Sequence, residues 1–205
     1  MSKWEQVDNS AVEEKAAMRE KYLPKTAKVL DLFCGNGEMY KRVYRDKAEL
    51  YHGVDKEKIH TEEICTLQDN LRYIKTNDIS NFNVFDLDDY GSPWKLLYLI
   101  IKKVPPGDYT FFITDGLPAR LKVNNKATKF ISATEQIPSG LKLIGLYKFY
   151  VSIFGTMLRT LEKKYGCEVK KAVYFKNQRG TVYYWTIKLA KNRKPDNQHH
   201  FQKPV

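Results

Sequence analysis

Five aspartates, Asp31, Asp55, Asp78, Asp88 and Asp115, each stand at or just beyond the end of a short apolar run, and a glycine-rich turn, Cys34-Gly35-Asn36-Gly37, follows the first of them. Such a turn brings bare backbone and the start of a helix up to a ligand, because glycine lacks a Cβ and the first helical N–H groups are free to donate. Asp55 stands twenty positions beyond Gly35, where a carboxylate accepts hydrogen bonds from ribose hydroxyls in nucleotide-binding folds. Charge at the turn separates two classes of ligand. A pyrophosphate beside Asp31 and Glu38 would face like charges, at a cost of roughly 1–4 kcal/mol at surface-like dielectric. The sulfonium and ammonium of S-adenosylmethionine would be attracted instead. Tyr40 also stands where a dinucleotide fingerprint carries its third glycine. The expected cofactor is S-adenosylmethionine, and a glycine turn that binds nothing is the plain structural alternative.

The segment Phe85-Asp86-Leu87-Asp88-Asp89-Tyr90-Gly91-Ser92-Pro93 holds the residues suited to an acceptor. The exocyclic amine of a nucleic-acid base is a poor nucleophile, since its lone pair is delocalised into the ring. A carboxylate accepting its N–H bonds favours charge developing on nitrogen and can take the proton, while an aromatic ring stacks on the base and fixes the line of attack. Asp88 and Tyr90 match these two catalytic roles. Asp86, inside the apolar run, reads as structural. For the pair, an acidic strand end with a packed tyrosine is the alternative.

To form one site these residues must be carried to one edge by alternating elements. Ala27 to Phe33 reads as a first strand, Glu38 to Arg45 as the helix after it, and Leu50 to Val54 as a second strand ending at Asp55. Glu57 to Asn70 reads as helical, Leu71 to Lys75 as a third strand leading to Asn77-Asp78, and Asn83 to Leu87 as a fourth. Trp94 to Val104 is an amphipathic helix ended by Pro105-Pro106-Gly107, and Tyr109 to Thr114 is a fifth strand. Ahead of these, Ser10 to Lys21 reads as a helix with Ser10 and Glu13 as its capping box. Leu117 to Ser139 reads as a long basic loop and Leu141 to Tyr165 as a helix stopped by Gly166. Glu168 to Lys176 and Thr181 to Ala190 alternate about Asn177-Gln178-Arg179-Gly180, a hairpin signature. The expected fold class is α/β, a doubly wound Rossmann-like sheet, mostly parallel with an antiparallel C-terminal hairpin. All five aspartates would then lie along the carboxyl edge, where open α/β sheets bind ligands. The organisation expected is one domain over 1–190, with a basic lid at 117–140 and a basic, disordered tail at 191–205.

With 205 residues, 42% of them hydrophobic and 13% aromatic, the chain can bury the core of one folded domain. Cys34, Cys65 and Cys167 are odd in number and widely spaced, so neither a disulfide framework nor a metal site is expected. The run Leu96 to Ile101 falls far short of the ~20 apolar residues that span a bilayer, and Met1 to Lys15 has no apolar signal region. A soluble, cytoplasmic protein is expected. The net charge of +11 is unevenly placed: residues 1–116 carry 17 basic and 20 acidic side chains, and residues 117–205 carry 18 and 4. A solubilising surface would account for that excess, and so would a region that grips a polyanion. Combined with the acceptor segment, it favours nucleic acid as the partner.

Val29-Leu-Asp-Leu-Phe-Cys-Gly-Asn-Gly-Glu38 with Gly53-Val-Asp55 resembles motifs I and II of class I S-adenosylmethionine-dependent methyltransferases, and the likeness extends over roughly positions 27–190. It implies that Asp31, Phe33, Cys34, Gly35 and Gly37 hold the methionine part, Asp55 and Lys56 the ribose side, and Asn77, Asp78 and Ile79 the adenine edge. An ordinary strand-ending turn is the alternative at Asn77-Asp78. Asp-Leu-Asp-x-Tyr-Gly-Ser-Pro at 86–93, followed by Ile113-Thr114-Asp115, is similar to the tRNA guanine-N2 dimethyltransferase family over about positions 71–116. Asp89 stands where that family has proline, and the family's separate C-terminal domain has no counterpart in these 205 residues. On this reading Asp89, Gly91, Ser92, Pro93 and Asp115 line the acceptor side, while Arg120, Lys122 and Arg179 meet phosphates. The function expected is methylation of an amino nitrogen of a base, most simply in RNA. The alternatives are a DNA amino-methyltransferase and a nucleic-acid-binding protein that keeps the fold without the activity, the latter favoured by Asp89.

Overall fold

The apolar runs assemble into one seven-stranded sheet of order β3-β2-β1-β4-β5-β7-β6. A computed structural model of the chain describes residues 11–57, 64–89, 91–119 and 146–192. Strands β1 (Ala27–Asp31), β2 (Ala48–Asp55), β3 (Cys65–Leu67), β4 (Val84–Asp88) and β5 (Gly107–Asp115) run parallel. The hairpin β6 (Cys167–Lys176) and β7 (Tyr183–Lys191) joins β5 antiparallel. The expected sheet, mostly parallel with an antiparallel end, is the one observed.

The sheet is covered on both faces. On one lie α3 (Asn70–Thr76), α4 (Trp94–Lys103) and α5 (Tyr150–Tyr165), packed on Leu30, Phe85, Leu87, Phe111, Ile113 and Ile187. Helix α5 buries Phe154, Met157, Leu158 and Leu161, one face at helical spacing, and stops at Gly166, whose φ of 64° places it in the left-handed conformation of a helix end. The other face carries α1 (Val12–Tyr22) and a helical segment with a π-helical turn, Tyr40–Tyr44, that runs into α2 (Arg45–Lys47). Helix α1 starts at Ala11 with no side-chain cap bond; the expected cap Ser10 lies outside the described residues, and Glu13 pairs with Arg42 instead.

Two neighbouring elements differ from expectation: the helix expected over Glu57 to Asn70 holds a strand at Cys65–Leu67, with 58–63 outside the described residues. Leu71 to Lys75 is not the third strand but part of α3, and the third strand is Cys65–Leu67. A short apolar run reads equally as buried strand or helix. Here Asp69 decides it by accepting the Arg72 N–H at the helix start. The lid at 117–140 lies, apart from 117–119, outside the described residues, as does the tail beyond 192.

Candidate active site

Because side chains alternate along a strand, the carboxyl edge presents carboxylates to two different faces. Asp31, Asp86 and Asp88 point to the side covered by α1, where Arg19 and Lys15 meet Asp86 and Asp88. Asp115 points to the opposite side and bonds to Trp94 of α4 and Tyr150 of α5.

At the end of β1 the chain turns through Gly35 and Gly37, with φ of 53° and 73°, a conformation that costs residues with a Cβ. A Cβ at Gly35 would meet nothing nearer than the Phe33 carbonyl at 3.9 Å, so this side of the turn is open. Asp55 spans it, one carboxylate oxygen accepting the Gly35 N–H at 3.1 Å and the other the Glu57 N–H at 3.0 Å. Asp31 lies beneath the turn, 3% exposed, accepting from the Phe33 N–H and the Tyr51 hydroxyl. Burial, and then the neighbouring Asp86 charge, push its carboxyl well above the usual range. Asp31 therefore braces the turn from inside. Cys34 is buried, its sulfur 3.0 Å from that of Cys65, and burial pushes its thiol up so that it stays protonated. Gly53 is required there, since a Cβ would come within 2.9 Å of the Cys34 sulfur. Phe33 is half-buried and Lys56 exposed.

Asn77, Asp78 and Ile79 are not at this edge. They lead into β4 from its amino end, and Lys103, in the last turn of α4, donates to the Asn77 carbonyl. Asp78 closes a local turn with Ser80. The misplacement follows from the misread third strand: β3 ends at Leu67, so Gln68 and Asp69 stand beside Asp55, with the Gln68 N–H bonded to the Asp55 carbonyl.

On the acceptor side, Lys15 donates to both oxygens of Asp88 at 2.8 Å, and the Arg19 guanidinium lies 3.7 Å away. Burial works against the charged form of Asp88, but the Lys15 and Arg19 charges and the bonds from Lys15 and Thr114 outweigh it, and the carboxyl lies below its ordinary value. Deeper in, Arg19 holds fully buried Asp86 through two bonds of 2.6 Å, and Tyr44 donates a third. Asp86 is thus structural, as its place in the strand implied.

Asp115 departs from its expected role as a substrate contact. It is fully buried, with its oxygens taken by Trp94 Nε1, the Tyr150 hydroxyl and the Leu117 N–H. Burial pushes its carboxyl up to about 6, against the lowering effect of those bonds. Gly91 accepts the Gly116 N–H, Pro93 is buried where α4 begins, and Asp89 and Ser92 are half-buried. Tyr90, Arg120 and Lys122 lie outside the described residues. Arg179 is exposed on the β6–β7 turn, and pairing of Asp115 with Tyr183 brings that turn to the carboxyl edge. Tyr150, Tyr183 and Trp185 are core, whereas Tyr184, between the last two on β7, faces α1, with the Lys15 ammonium 5.3 Å from its ring centre.

Sequence reasoning missed Lys15, Arg19 and Tyr44, which touch the β4 carboxylates from segments more than forty residues away in the chain. The one signal was the spacing of Lys15 and Arg19, one helical turn apart on the same face of α1.

No family model and no curated protein sequence matches the chain. Among solved structures, a candidate hemolysin from Lactococcus lactis aligns with a TM-score of 0.57 at 15% identity, over 91% of this chain and 88% of that one. Trm5b from Pyrococcus abyssi aligns at 0.50 and 15% identity over 89% of this chain, which spans 49% of that protein. The plantazolicin methyltransferase BpumL, solved with a pentazolic desmethylPZN analog and S-adenosylhomocysteine, aligns at 0.49 and 16% identity over 90% of this chain and 84% of that one. The fold is Rossmann-like, with an antiparallel end to a mostly parallel sheet. At these identities the likeness is one of fold.

Proposed function

We propose that the protein is an S-adenosylmethionine-dependent methyltransferase acting on an amino nitrogen of an RNA base, of the guanine-N2 kind. The observation that carries this reading is the shared sheet edge: the open glycine turn spanned by Asp55 lies beside a β4 end at which Asp88 is held ionised. When bound, S-adenosylmethionine supplies an electrophilic methyl group on a sulfonium. The residues present suit it. Gly35 presents a side of the turn with no Cβ on it, the remaining lone pairs of Asp55 suit ribose hydroxyls, and Gln68 and Asp69 replace Asn77 to Ile79 as the adenine edge. Its carboxyl held low, Asp88 serves as an acceptor for the N–H of the target amine rather than as a strong base. A carboxylate has about four lone-pair sites, so bonds from Lys15 leave room for a substrate N–H. That bond favours positive charge developing on nitrogen, and the displaced proton leaves to water. Asp89, Gly91, Ser92 and Pro93 form the loop beside the base, Tyr90 stacks on it, and Arg179 meets phosphate.

Transfer of labelled methyl groups, run in parallel on total tRNA, ribosomal RNA, duplex DNA and a protein extract, tests the substrate class. Label is expected in RNA, and Asp88→Ala is expected to lower the rate by roughly 10²-fold or more. Full activity in that variant removes Asp88 from the mechanism. A second reading, a nucleic-acid-binding protein without transferase activity, draws on the two-fold Lys15 grip on Asp88 and on Asp89 in place of proline. RNA binding with no label in any substrate would favour it.

A further inference from the structure

Three lysines converge on one tyrosine at the far end of α1. The ammonium groups of Lys21, Lys171 and Lys188 lie 5.6, 5.0 and 5.9 Å from the centre of the Tyr22 ring. Lys171 and Lys188 are directly paired across the β6–β7 ladder, an arrangement of like charges that destabilises a sheet. The Tyr22 ring offsets part of that repulsion. Ion pairs among the described residues go to Lys15, Arg19, Lys28, Arg42, Arg45, Lys47 and Lys170, and none to these three. Among the described residues, none of the three has a carboxylate within ion-pair distance.

The register connects this cluster to the active edge. On the α1 side of the sheet, Asp88, Thr114, Tyr184 and Phe175 form one row across β4, β5, β7 and β6. At ~4.8 Å between strands, Phe175 stands roughly 14 Å from Asp88. Phe175 and Tyr184 stack with centroids 4.5 Å apart and are both half-buried, forming an aromatic ledge. Lys15 links ledge and acceptor site, its ammonium 5.3 Å from the Tyr184 ring centre and 2.8 Å from Asp88. Lys188 follows Tyr184 by four positions on β7, roughly 14 Å along the strand. Cations at one end, a half-exposed aromatic pair in the middle and the acceptor carboxylate at the other end match a flexible polyanion that carries stackable rings.

We propose that this side of the β6–β7 hairpin binds the single-stranded segment flanking the target base, its phosphates on Lys21, Lys171 and Lys188 and a neighbouring base on the Phe175–Tyr184 ledge. The inference rests on the RNA reading above and adds where the strand runs. Fluorescence anisotropy with a labelled single-stranded RNA, over a salt series, tests it on wild type, the triple variant Lys21→Glu/Lys171→Glu/Lys188→Glu, and Phe175→Leu, with urea midpoints confirming that each is folded. For single strands each phosphate contact contributes about 0.7 to the salt slope, so the triple variant is expected to lose about 2 from the slope and roughly 10²-fold in affinity at low salt. Phe175→Leu is expected to weaken binding about fivefold with the slope unchanged, as loss of stacking without loss of charge requires. If wild type binds RNA and the triple variant matches it in affinity and slope, the strand path is wrong while the RNA reading stands. If wild type binds no RNA, or binds anionic phospholipid vesicles in its place, both are overturned.

Discussion

Asp88 and Asp115 sit at the ends of neighbouring strands and titrate in opposite directions, because alternation sends them to opposite faces of the sheet. Lysine and arginine hold Asp88 low against its burial, whereas Asp115 meets only neutral donors, and burial pushes it up to about 6. An acid whose folded value is raised binds its proton more tightly in the folded chain. Its contribution to stability is therefore greatest below the unfolded value near 4 and is lost as the pH climbs through about 6. At ~1.4 kcal/mol per pH unit of displacement, the change is on the order of 3 kcal/mol. Urea unfolding of wild type and Asp115→Asn from pH 4 to 7 should show wild type losing stability relative to the variant over that window; parallel curves would mean that Asp115 is ionised without penalty. Asp31, Asp55 and Asp88 could be read from the chain because strand ends next to glycine or acidic turns are local signals. Lys15 and Arg19 could not, since their partners lie 73 and 67 residues away.

Helix α1 offers the sheet only a narrow apolar strip, Ala16 with Val12 beside it; Lys15, Arg19 and Tyr22 add contacts through charge and ring. Its docking thus depends on the buried Arg19–Asp86 pair, whose loss on one side leaves a carboxylate in the core beside Asp31. Arg19→Met is expected to cost about 3–5 kcal/mol, the penalty for an uncompensated buried charge. Adding Asp86→Asn should restore a large part, because the Tyr44 hydroxyl can still donate to the amide oxygen. Urea midpoints of the single and double variants measure this, and a single variant within about 1 kcal/mol of wild type would show that the pair does not hold the helix. The misread third strand belongs to the same scale. Leu71, Tyr73 and Ile74 satisfy a strand or a helix, and the deciding residue, Asp69, acts only through the backbone it caps. The misread strand, together with the helix expected over Glu57 to Asn70 that in fact holds β3, carried Asn77 to Ile79 to the wrong end of the sheet, whereas β1, β2, β4, α4 and β5 were each legible from their own period.

For the molecule as a whole, the uneven charge is the separation of tasks that the proposed function requires. The first 116 residues carry 17 basic and 20 acidic side chains and supply the glycine turn with Asp55 and Asp88, while the remaining part, with 18 basic and 4 acidic, supplies the hairpin. Composition made that division readable; the register that sets Lys171 against Lys188 was not, because alternation gives the faces of a strand but not its partner. If the two tasks are separate, they should respond separately. S-adenosylmethionine at 100 times its dissociation constant should stabilise the fold by about 2.7 kcal/mol, raising the melting temperature by roughly 5–10 °C for a chain of this size. The shift should change little with salt, because the contacts proposed are short-range and made to one turn and one carboxylate, while RNA affinity should fall steeply. Asp55→Ala should abolish the shift, measured against its own cofactor-free melting temperature, and leave RNA affinity within about twofold, since no phosphate contact is assigned to Asp55. A wild-type melting temperature that does not move at millimolar cofactor would remove the glycine turn as its site. Equal loss of cofactor and RNA binding in Asp55→Ala would show one coupled surface in place of two.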